Sequence, residues 1–496
     1  MADQYPLLRV HSADTVAVAL RPIAPGETFD IHGRSLTAAQ AIPQGHKIAL
    51  IAHAAQDPVV KYGLPIGRAT QPIAAGAHVH DHNLATALAG ERAYDRAASA
   101  TAAPRAASAK SWSGYLRADG QAATRNEIWI LPTVGCVGMV AEQIARAAQA
   151  RHAGRVDGIH AFTHPHGCSQ LGDDLAGTRA LLAGLAAHPN AGGVLLLGLG
   201  CESNQLAALM AAIPADARGK VHTLSAQSVQ DEMSAAMEII DAMVDDIAGS
   251  PRVDLPLSAL RIGLKCGGSD GLSGLTANPL LGRLTETLTA AGGSVILTEI
   301  PEIFGAEAAL LDRATSGAVF DDAAGLINRF KRYYLDQGLP VSENPSPGNI
   351  AGGITTLEEK SAGAVQKAGG AALTDVIGYG AQARRPGVTL LEAPGNDAVS
   401  STALSAAGAH VILFTTGRGT PLGFPVPTVK VASNEALAAA KPHWIDFDAS
   451  AVLGSGTAAV DDAFLDCVLA VASGSETAAE RHGQRAIAIW KRGVTL

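Results

Sequence analysis

Lys265-Cys-Gly-Gly-Ser-Asp-Gly-Leu-Ser-Gly-Leu-Thr-Ala-Asn-Pro279 decides how this chain is read. It follows a short, largely apolar run, Leu260–Leu264, that reads as a buried strand, and it precedes a helical pattern that starts near Leu280. Four glycines in fifteen residues let the backbone approach a ligand closely. The residues between them (Cys266, Ser269, Asp270, Ser273, Thr276, Asn278) are small and polar. A loop at the carboxyl end of a strand is where open α/β sheets bind ligands. The stretch therefore predicts an α/β fold with a functional site at this loop.

The same alternation extends outward in both directions. Strands are expected at Ile128–Leu131, Gly158–Phe162 and Val194–Leu199, with helices at Val140–Ala150, Asp173–Ala187 and Asn204–Ala212. Further strands are expected near Ile262, Val295–Thr298, Val388–Leu391, Val411–Thr415 and Ile445. Strands alternating with helices imply parallel sheets. Before them, the first 90 residues read as short strands with turn signals, and Ala97–Lys110 reads as an Ala-rich linker or helix. Ser250–Pro256, with two prolines, marks a second boundary, and no 20–50-residue repeat is visible.

Composition removes several classes. At 496 residues the chain is too long for one core, at roughly 150 residues per domain. A net charge of −9 with interspersed signs leaves no basic footprint for nucleic acid. No apolar run reaches the roughly 18 residues of a membrane span, and the start lacks a signal-peptide pattern, so a cytoplasmic protein is expected. Five scattered cysteines make no disulfide framework, zinc finger or ferredoxin run. No loop has the spacing of a dinucleotide fingerprint or a P-loop, so no nucleotide cofactor is expected.

Other motifs carry ligand-type side chains. His78, His80 and His82 alternate, so an extended strand would put them on one face, able to bind a divalent metal or relay protons. A polar strand end is the alternative. His164, His166 and Cys168 follow a strand and open a helix, and Gly198-Leu-Gly-Cys-Glu202 repeats that design. These are either a shared cleft or helix caps with thiols. Glu299, Glu302 and Glu307 follow another strand; with Cys266 and Asp270 they would make a mixed O/S site suited to Fe(II) or Mn(II), or simply a solvated helix start. Thr356 with Glu359 reads as a capping box, and Arg418 between glycines as a carboxylate clamp.

In these residues and motifs the chain resembles the altronate/galactarate dehydratase family. The matching segments run from Lys61–Gly67 and His78–Asn83 through Arg125–Cys136, Gly167–Asp174, Gly198–Glu202, Cys266–Pro279, Asn344–Lys360, Pro394–Val399 and Thr416–Pro421 to His443–Asp448 and the terminal Gly493–Leu496. The Gly167–Asp174 and His443–Asp448 versions are similar to the altronate branch. The resemblance implies a SAF-type β-clip module over 1–95, a linker over 96–112, a second α/β region over 113–250 able to mediate a homodimer, and a Rossmann-like parallel-sheet domain over 251–496 with a metal site. It also implies Fe(II) or Mn(II) and loss of water from D-altronate to give 2-dehydro-3-deoxy-D-gluconate.

Residue roles follow from chemistry and position. The metal ligands are expected among Cys266, Asp270, Glu302, Glu307 and Asp397. A base must take the C2 proton. Its candidates are Lys265 and Lys360, with His78 and His80 reaching in from the first module over a mobile linker. Ser269, Asn278, Asn396 and Thr416 would bind the sugar-acid hydroxyls, and Arg418 its carboxylate. Three other readings stay open: a related acid such as galactarate or a sulfonated hydroxy acid, a labile iron–sulfur dehydratase built on Cys136, Cys168, Cys201 and Cys266, and a non-catalytic sugar-acid-binding regulator.

Overall fold

The computed structural model describes residues 6–31, 34–96 and 108–496, so the expected linker at Ala97–Lys110 lies outside the described residues as far as 107. The chain is a mixed α/β structure with small antiparallel sheets at its start and a seven-stranded parallel sheet in its C-terminal half.

The first module is built from short strands. Leu7–Leu8, Val16–Ala19, Lys47–Ala49 and His78–Val79 form one antiparallel sheet; Pro58–Lys61, Leu64–Ala69 and Leu84–Ala85 form another. The hairpin at Lys61–Leu64 turns through Tyr62 and Gly63, both at positive φ (61° and 74°), as a type I′ turn requires. A repeat not visible in the sequence pattern also emerges: Ile23-Ala-Pro-Gly and Ile42-Pro-Gln-Gly make the same turn and bridge to each other, as His53-Ala-Ala-Gln and Ile73-Ala-Ala-Gly do.

Next comes a four-stranded parallel sheet in the order Gly158–Ala161, Glu127–Pro132, Ala191–Gly198, Val221–Ser225. The last strand and the helix Glu232–Ile247 that follows it were not foreseen. His222 and Thr223 are exposed, so this edge strand lacks a continuous apolar run. Ser250–Pro256, expected only as a boundary, supplies the strand Val253–Pro256, which pairs with the incoming Ser111–Leu116. The chain thus enters and leaves this unit through one small sheet. Arg125 fixes the joint with a two-pronged bond to Glu480 (3.0 and 3.1 Å).

The seven-stranded sheet runs Leu373–Ile377, Gly387–Leu391, Ser294–Leu297, Arg261–Gly267, Val411–Thr416, Thr428–Ala432, Phe447–Asp448, all parallel. Arg261–Gly267 comes first in sequence but sits in the middle. Later strands add on one side, then, from Val411, on the other. The order therefore reverses between Arg261–Gly267 and Val411–Thr416, and the crevice outside their carboxyl ends is where such sheets bind ligands. Both strands are buried on both faces, as the apolar runs predict. Leu373–Ile377 and Thr428–Ala432 were not expected; Thr374, Asp375, Thr428 and Lys430 interrupt their apolar patterns.

The first module is docked on this sheet through the helix Leu357–Ala364. Thr356 caps that helix by accepting the Glu359 N–H (3.2 Å), but the Glu359 carboxylate turns to the Thr355 N–H and the first module, so only half of the expected capping box forms. The Glu359 carboxylate is wholly buried between Lys47 and Lys61 of the first module, each 2.8 Å away. The neighbouring Glu358 accepts from Thr86 Oγ1 (2.9 Å) and the Ala87 N–H (2.7 Å). Gly271 allows the close approach behind this contact: a Cβ there would lie 1.9 Å from the Gly45 carbonyl oxygen. The module is thus seated by buried charge on the C-terminal sheet.

Burial would raise the Glu359 pKa, but Lys47 and Lys61 hold it down to about 2. A depressed carboxylate stabilises the fold fully above the ordinary range near 4.3 and loses that contribution as pH falls toward 2. Glu359→Gln leaves two buried ammonium groups without their carboxylate. It should cost about 3–5 kcal/mol of stability at pH 7. Denaturant unfolding of wild type and variant checks this; the gap should shrink as pH is lowered through the carboxylate range.

Candidate active site

The loop after Arg261–Gly267 opens into a buried cluster of charge. Cys266 Sγ lies 2.9 Å from Glu302 Oε2 and 3.5 Å from Glu299 Oε2, and Lys367 Nζ donates to it at 2.9 Å. Lys367 also donates to Glu299 (3.0 Å), which accepts the Cys266 N–H (2.9 Å) and a very short bond from Lys265. Lys265 reaches Asp397 at 2.9 Å, and Lys360 reaches Glu302 at 2.8 Å. Three ammonium groups, three carboxylates and one thiol meet at the point where the strand order reverses.

Backbone geometry places them. Glu299 ends the segment after Ser294–Leu297 in the left-handed region (φ 67°, ψ 56°), a strained conformation for a residue with a Cβ. That turn points its carboxylate back under Cys266, and Glu302 follows on the next short turn, Ile300–Ile303. Lys360 projects from the helix Leu357–Ala364, on the side opposite Glu359, and Lys367 from the turn Val365–Ala368.

The protonation states follow from this packing. Burial alone would deprotonate Lys265 and Lys367. The carboxylates around Lys265, and the thiol and carboxylates around Lys367, outweigh it, so both are held well above the ordinary lysine range. Lys360 is likewise raised by Glu302 against burial. Burial pushes the Cys266 thiol far up, with Glu299 and Glu302 adding to it, so it stays protonated and donates to Glu302. Burial would raise Glu302, but Lys360, Lys265 and Lys367 hold it ionised. A fully buried, protonated, doubly paired Lys265 is not a proton acceptor, which corrects the expectation that it serves as the base.

A second cluster lies in the first module. His46 Nδ1 and His78 Nε2 are 3.0 Å apart, and the His78 and His80 rings stack at 5.3 Å. One donor atom from each of His46, His78 and His80 lies within 4.8 Å of the others. The expected row of His78, His80 and His82 is altered: the strand ends at Val79, His82 is exposed, and His46, just before the adjoining strand Lys47–Ala49, takes the third place. Burial first, then neighbouring imidazoles and Lys47, lowers His78 to about 3 and His80 to about 4, so both are neutral at pH 7. His80 Nδ1 meets Thr355 Oγ1 at 3.1 Å, and Lys47 donates to the same oxygen at 3.0 Å. The imidazoles are thereby wired to the segment that carries Lys360.

The other expected site residues divide. Asp397 keeps its carboxylate partly open, and the buried Lys360 ammonium donates to Asn344 (2.9 Å) and Asn349 (3.3 Å). Asn349 also ties down the Ser269 carbonyl (2.8 Å). Arg418 is exposed beside Gly268 at the mouth. The rest serve structure. Asn278 is buried between the Gly363 carbonyl and Thr415. Asn396 caps the helix Asp397–Ala406, and Thr416 closes its own turn. Asp270 spends both carboxylate oxygens on Leu272, Ser273, Ser433 and Asn434. Glu307 points elsewhere, paired with Lys331 at 2.7 Å and bonded to Tyr94. Those four, with Glu307, correct the expected substrate and metal contacts.

The donor atoms of Cys266, Glu299 and Glu302 also lie within 4.8 Å of one another, but each carboxylate already holds an ammonium partner. A cation placed there would have to displace them. His46, His78 and His80, neutral nitrogen donors with no acid between them, fit a divalent ion better. Sequence reading missed Lys367, His46 and the Lys47–Glu359–Lys61 triad. Charged residues inside otherwise apolar segments, such as Lys47 before Ile48 and Ala49, were the available signal.

Comparison with known proteins agrees with the geometry. Three family models match in succession: the altronate/galactarate dehydratase SAF domain over 5–87, the D-galactarate dehydratase/altronate hydrolase second domain over 114–248, and the D-galactarate/altronate dehydratase C-terminal domain over 257–495. The chain is 47% identical over 500 residues to altronate dehydratase of Bacillus subtilis (strain 168), covering 99% of both. It is 46% identical over 492 residues to altronate dehydratase of Escherichia coli (strain K12), again covering 99% of both. It is 30% identical to the L-threo-forming galactarate dehydratase of Escherichia coli (strain K12), covering 88% of this chain and 86% of that one. A chain matched in succession by these three family models, and related end to end to these enzymes, is a hydro-lyase of the altronate/galactarate dehydratase family, to which this chain belongs.

Proposed function

We propose that this chain removes water from D-altronate to give 2-dehydro-3-deoxy-D-gluconate, with Fe(II) or Mn(II) as cofactor. The observation that carries the reading is the set of three buried ammonium groups, Lys265, Lys360 and Lys367, around Cys266, Glu299 and Glu302. The substrate follows from the two relatives named for altronate, which match over their whole length.

Taking the C2 proton of an aldonate pushes charge into its carboxylate as an enediolate. Fixed positive groups in a water-poor pocket stabilise such charge without reorganising. Lys265 and Lys367, held by Glu299, supply it from below. Lys360 and Glu302 form the working ion pair beside them. The Glu302 carboxylate accepts the C2 proton, and the Lys360 ammonium donates one to the departing C3 hydroxyl, which leaves as water. The proton then returns from Glu302 to Lys360 across 2.8 Å, and the ion pair is restored. Asn344 and Asn349 orient Lys360, and Arg418 at the mouth suits the substrate carboxylate.

His46, His78 and His80 would hold the cation, and imidazole donors favour Fe(II) over Mn(II). Bound there, it supplies Lewis-acid charge toward substrate oxygens. His78 and His80 thus serve as ligands in this reading, not as bases.

Three outcomes test it. Turnover of a sugar-acid panel, followed as 2-keto acid release, should favour D-altronate; faster turnover of galactarate or of a sulfonated hydroxy acid would reassign the substrate. Cys266→Ala and Glu302→Gln should each lower kcat by about 100-fold or more, about 2.7 kcal/mol of transition-state stabilisation. Near-normal kinetics in both would move the chemistry elsewhere. Chelator should abolish turnover and Fe(II) restore it. Metal analysis should find the ion lost from His46→Ala and His80→Ala but retained by Cys266→Ala.

A further inference from the structure

Three cysteines remain that the dehydration chemistry does not use. Of the five in the chain, Cys266 lies in the charged cluster and Cys467 is half-buried in the helix Thr457–Ala472. Cys136, Cys168 and Cys201 are free and exposed. Unpaired cysteine is among the most buried residue types, so three exposed thiols need a reason.

Their placement supplies one. Each stands in the loop just past the carboxyl end of a strand: Glu127–Pro132, Gly158–Ala161 and Ala191–Gly198, three neighbours in the four-stranded sheet. The strand order of this sheet also reverses, between Glu127–Pro132 and Ala191–Gly198, so the three cysteine loops stand at the end of the sheet where its own crevice opens. The loops are bonded directly to one another. The Gly135 N–H donates to the His166 carbonyl (2.9 Å), the Asn204 N–H to the Gly167 carbonyl (2.9 Å), and Asn204 Nδ2 to the Thr133 carbonyl (3.3 Å). Glu202 crosses to Thr133 Oγ1 at 2.5 Å and folds its own loop by accepting the Gly200 N–H at 2.6 Å. Gly167, at φ 101°, sits so close that a Cβ would meet the Thr133 carbonyl oxygen at 2.0 Å. The three turns cannot spread apart; the residue beside Cys136 and the one beside Cys168 are themselves the bonded ones.

We infer that Cys136, Cys168 and Cys201 form a binding site for a 4Fe–4S cluster, leaving one iron without a cysteine ligand. Thiolate sulfur selects iron–sulfur clusters and other soft metals. Structural zinc is a weaker match, because it takes four ligands at short paired spacings and these thiols come singly from three loops. Cys266 is not the fourth ligand: its thiol is buried and committed to Glu302 and Lys367. This corrects the expectation of a four-cysteine cluster. Each thiol gives up its proton as it binds iron; two ferrous and two ferric ions with four sulfides make the cluster in its oxidised form, so assembly from that mixture needs no further oxidant or reductant.

The test uses the full chain, purified without oxygen and incubated with ferrous iron, ferric iron and sulfide, and it reads the cluster without reading turnover. Expected are a brown protein with broad visible absorption, bound iron and acid-labile sulfide in equal amounts, and a paramagnetic signal on reduction. Cys136→Ser, Cys168→Ser and Cys201→Ser should each lose that absorption, while Cys467→Ser and His80→Ala keep it. A colourless protein without labile sulfide, zinc taken up in place of the cluster, or a cluster that survives the three serine variants would overturn the inference. None of these outcomes bears on altronate turnover, so the two readings fail separately.

Discussion

Everything at the active site hangs on one turn of helix. Glu358, Glu359 and Lys360 are consecutive, and a helix sends them in different directions. The first two hold the N-terminal module through Thr86, Ala87, Lys47 and Lys61; the third completes the charged cluster through Glu302. Module docking and cluster assembly are therefore the same event. A shift of this helix that loosened Glu359 would also withdraw Lys360. This explains why so much ionic burial is tolerated at a domain contact. A buried pair contributes little net stability compared with apolar packing, but breaking one is costly, so such pairs fix position more than they add strength.

That constraint also replaces the picture of a lid swinging on a linker. The His46, His78 and His80 rings are held on the C-terminal sheet by the His80–Thr355–Lys47–Glu359 chain of contacts and by Gly45 lying against Gly271. Two chemically distinct groups are thereby tied to one segment, Thr355–Lys360. The ammonium-lined cluster is suited to anions, since its carboxylates are already neutralised. The imidazole cluster, uncharged at pH 7, is suited to a cation. A cation placed among Cys266, Glu299 and Glu302 would compete with three lysines for the same oxygens.

The sequence made the frame of the fold legible. The apolar runs at Ile128, Val194, Ile262, Val295, Val388 and Val411 are buried parallel strands, and the Cys266 loop lies where the α/β rule puts it. Misses fell where strands are interrupted by polar residues, as at Leu373–Ile377 and Thr428–Ala432, or lie at an exposed edge, as at Val221–Ser225. The candidate site was half legible. Cys266, Glu302, Lys360 and Asp397 stood in loops after strands and do converge. Asp270, Asn278, Asn396 and Thr416 stood in equally polar loops, but their side chains spend their hydrogen bonds on turns and caps. Local sequence cannot distinguish a polar group facing a cavity from one facing its own backbone, because both favour the same small residues in the same turns.

Lys367 and His46 were missed for a different reason: their partners are distant in sequence. Lys367 meets Cys266 and Glu299, and Lys47, beside His46, meets Glu359. No single motif contains both members of these pairs. The cysteine loops show the reverse case. Cys136, Cys168 and Cys201 shared a visible local design of strand, glycine and thiol, and it is their common local design that brings them together, since parallel neighbouring strands deliver equivalent loops to one end of a sheet. Cys266 has that design too, yet it belongs to the other sheet. Local pattern assigns a residue to the carboxyl end of some parallel sheet; only strand order says which sheet, and hence which chemistry it joins.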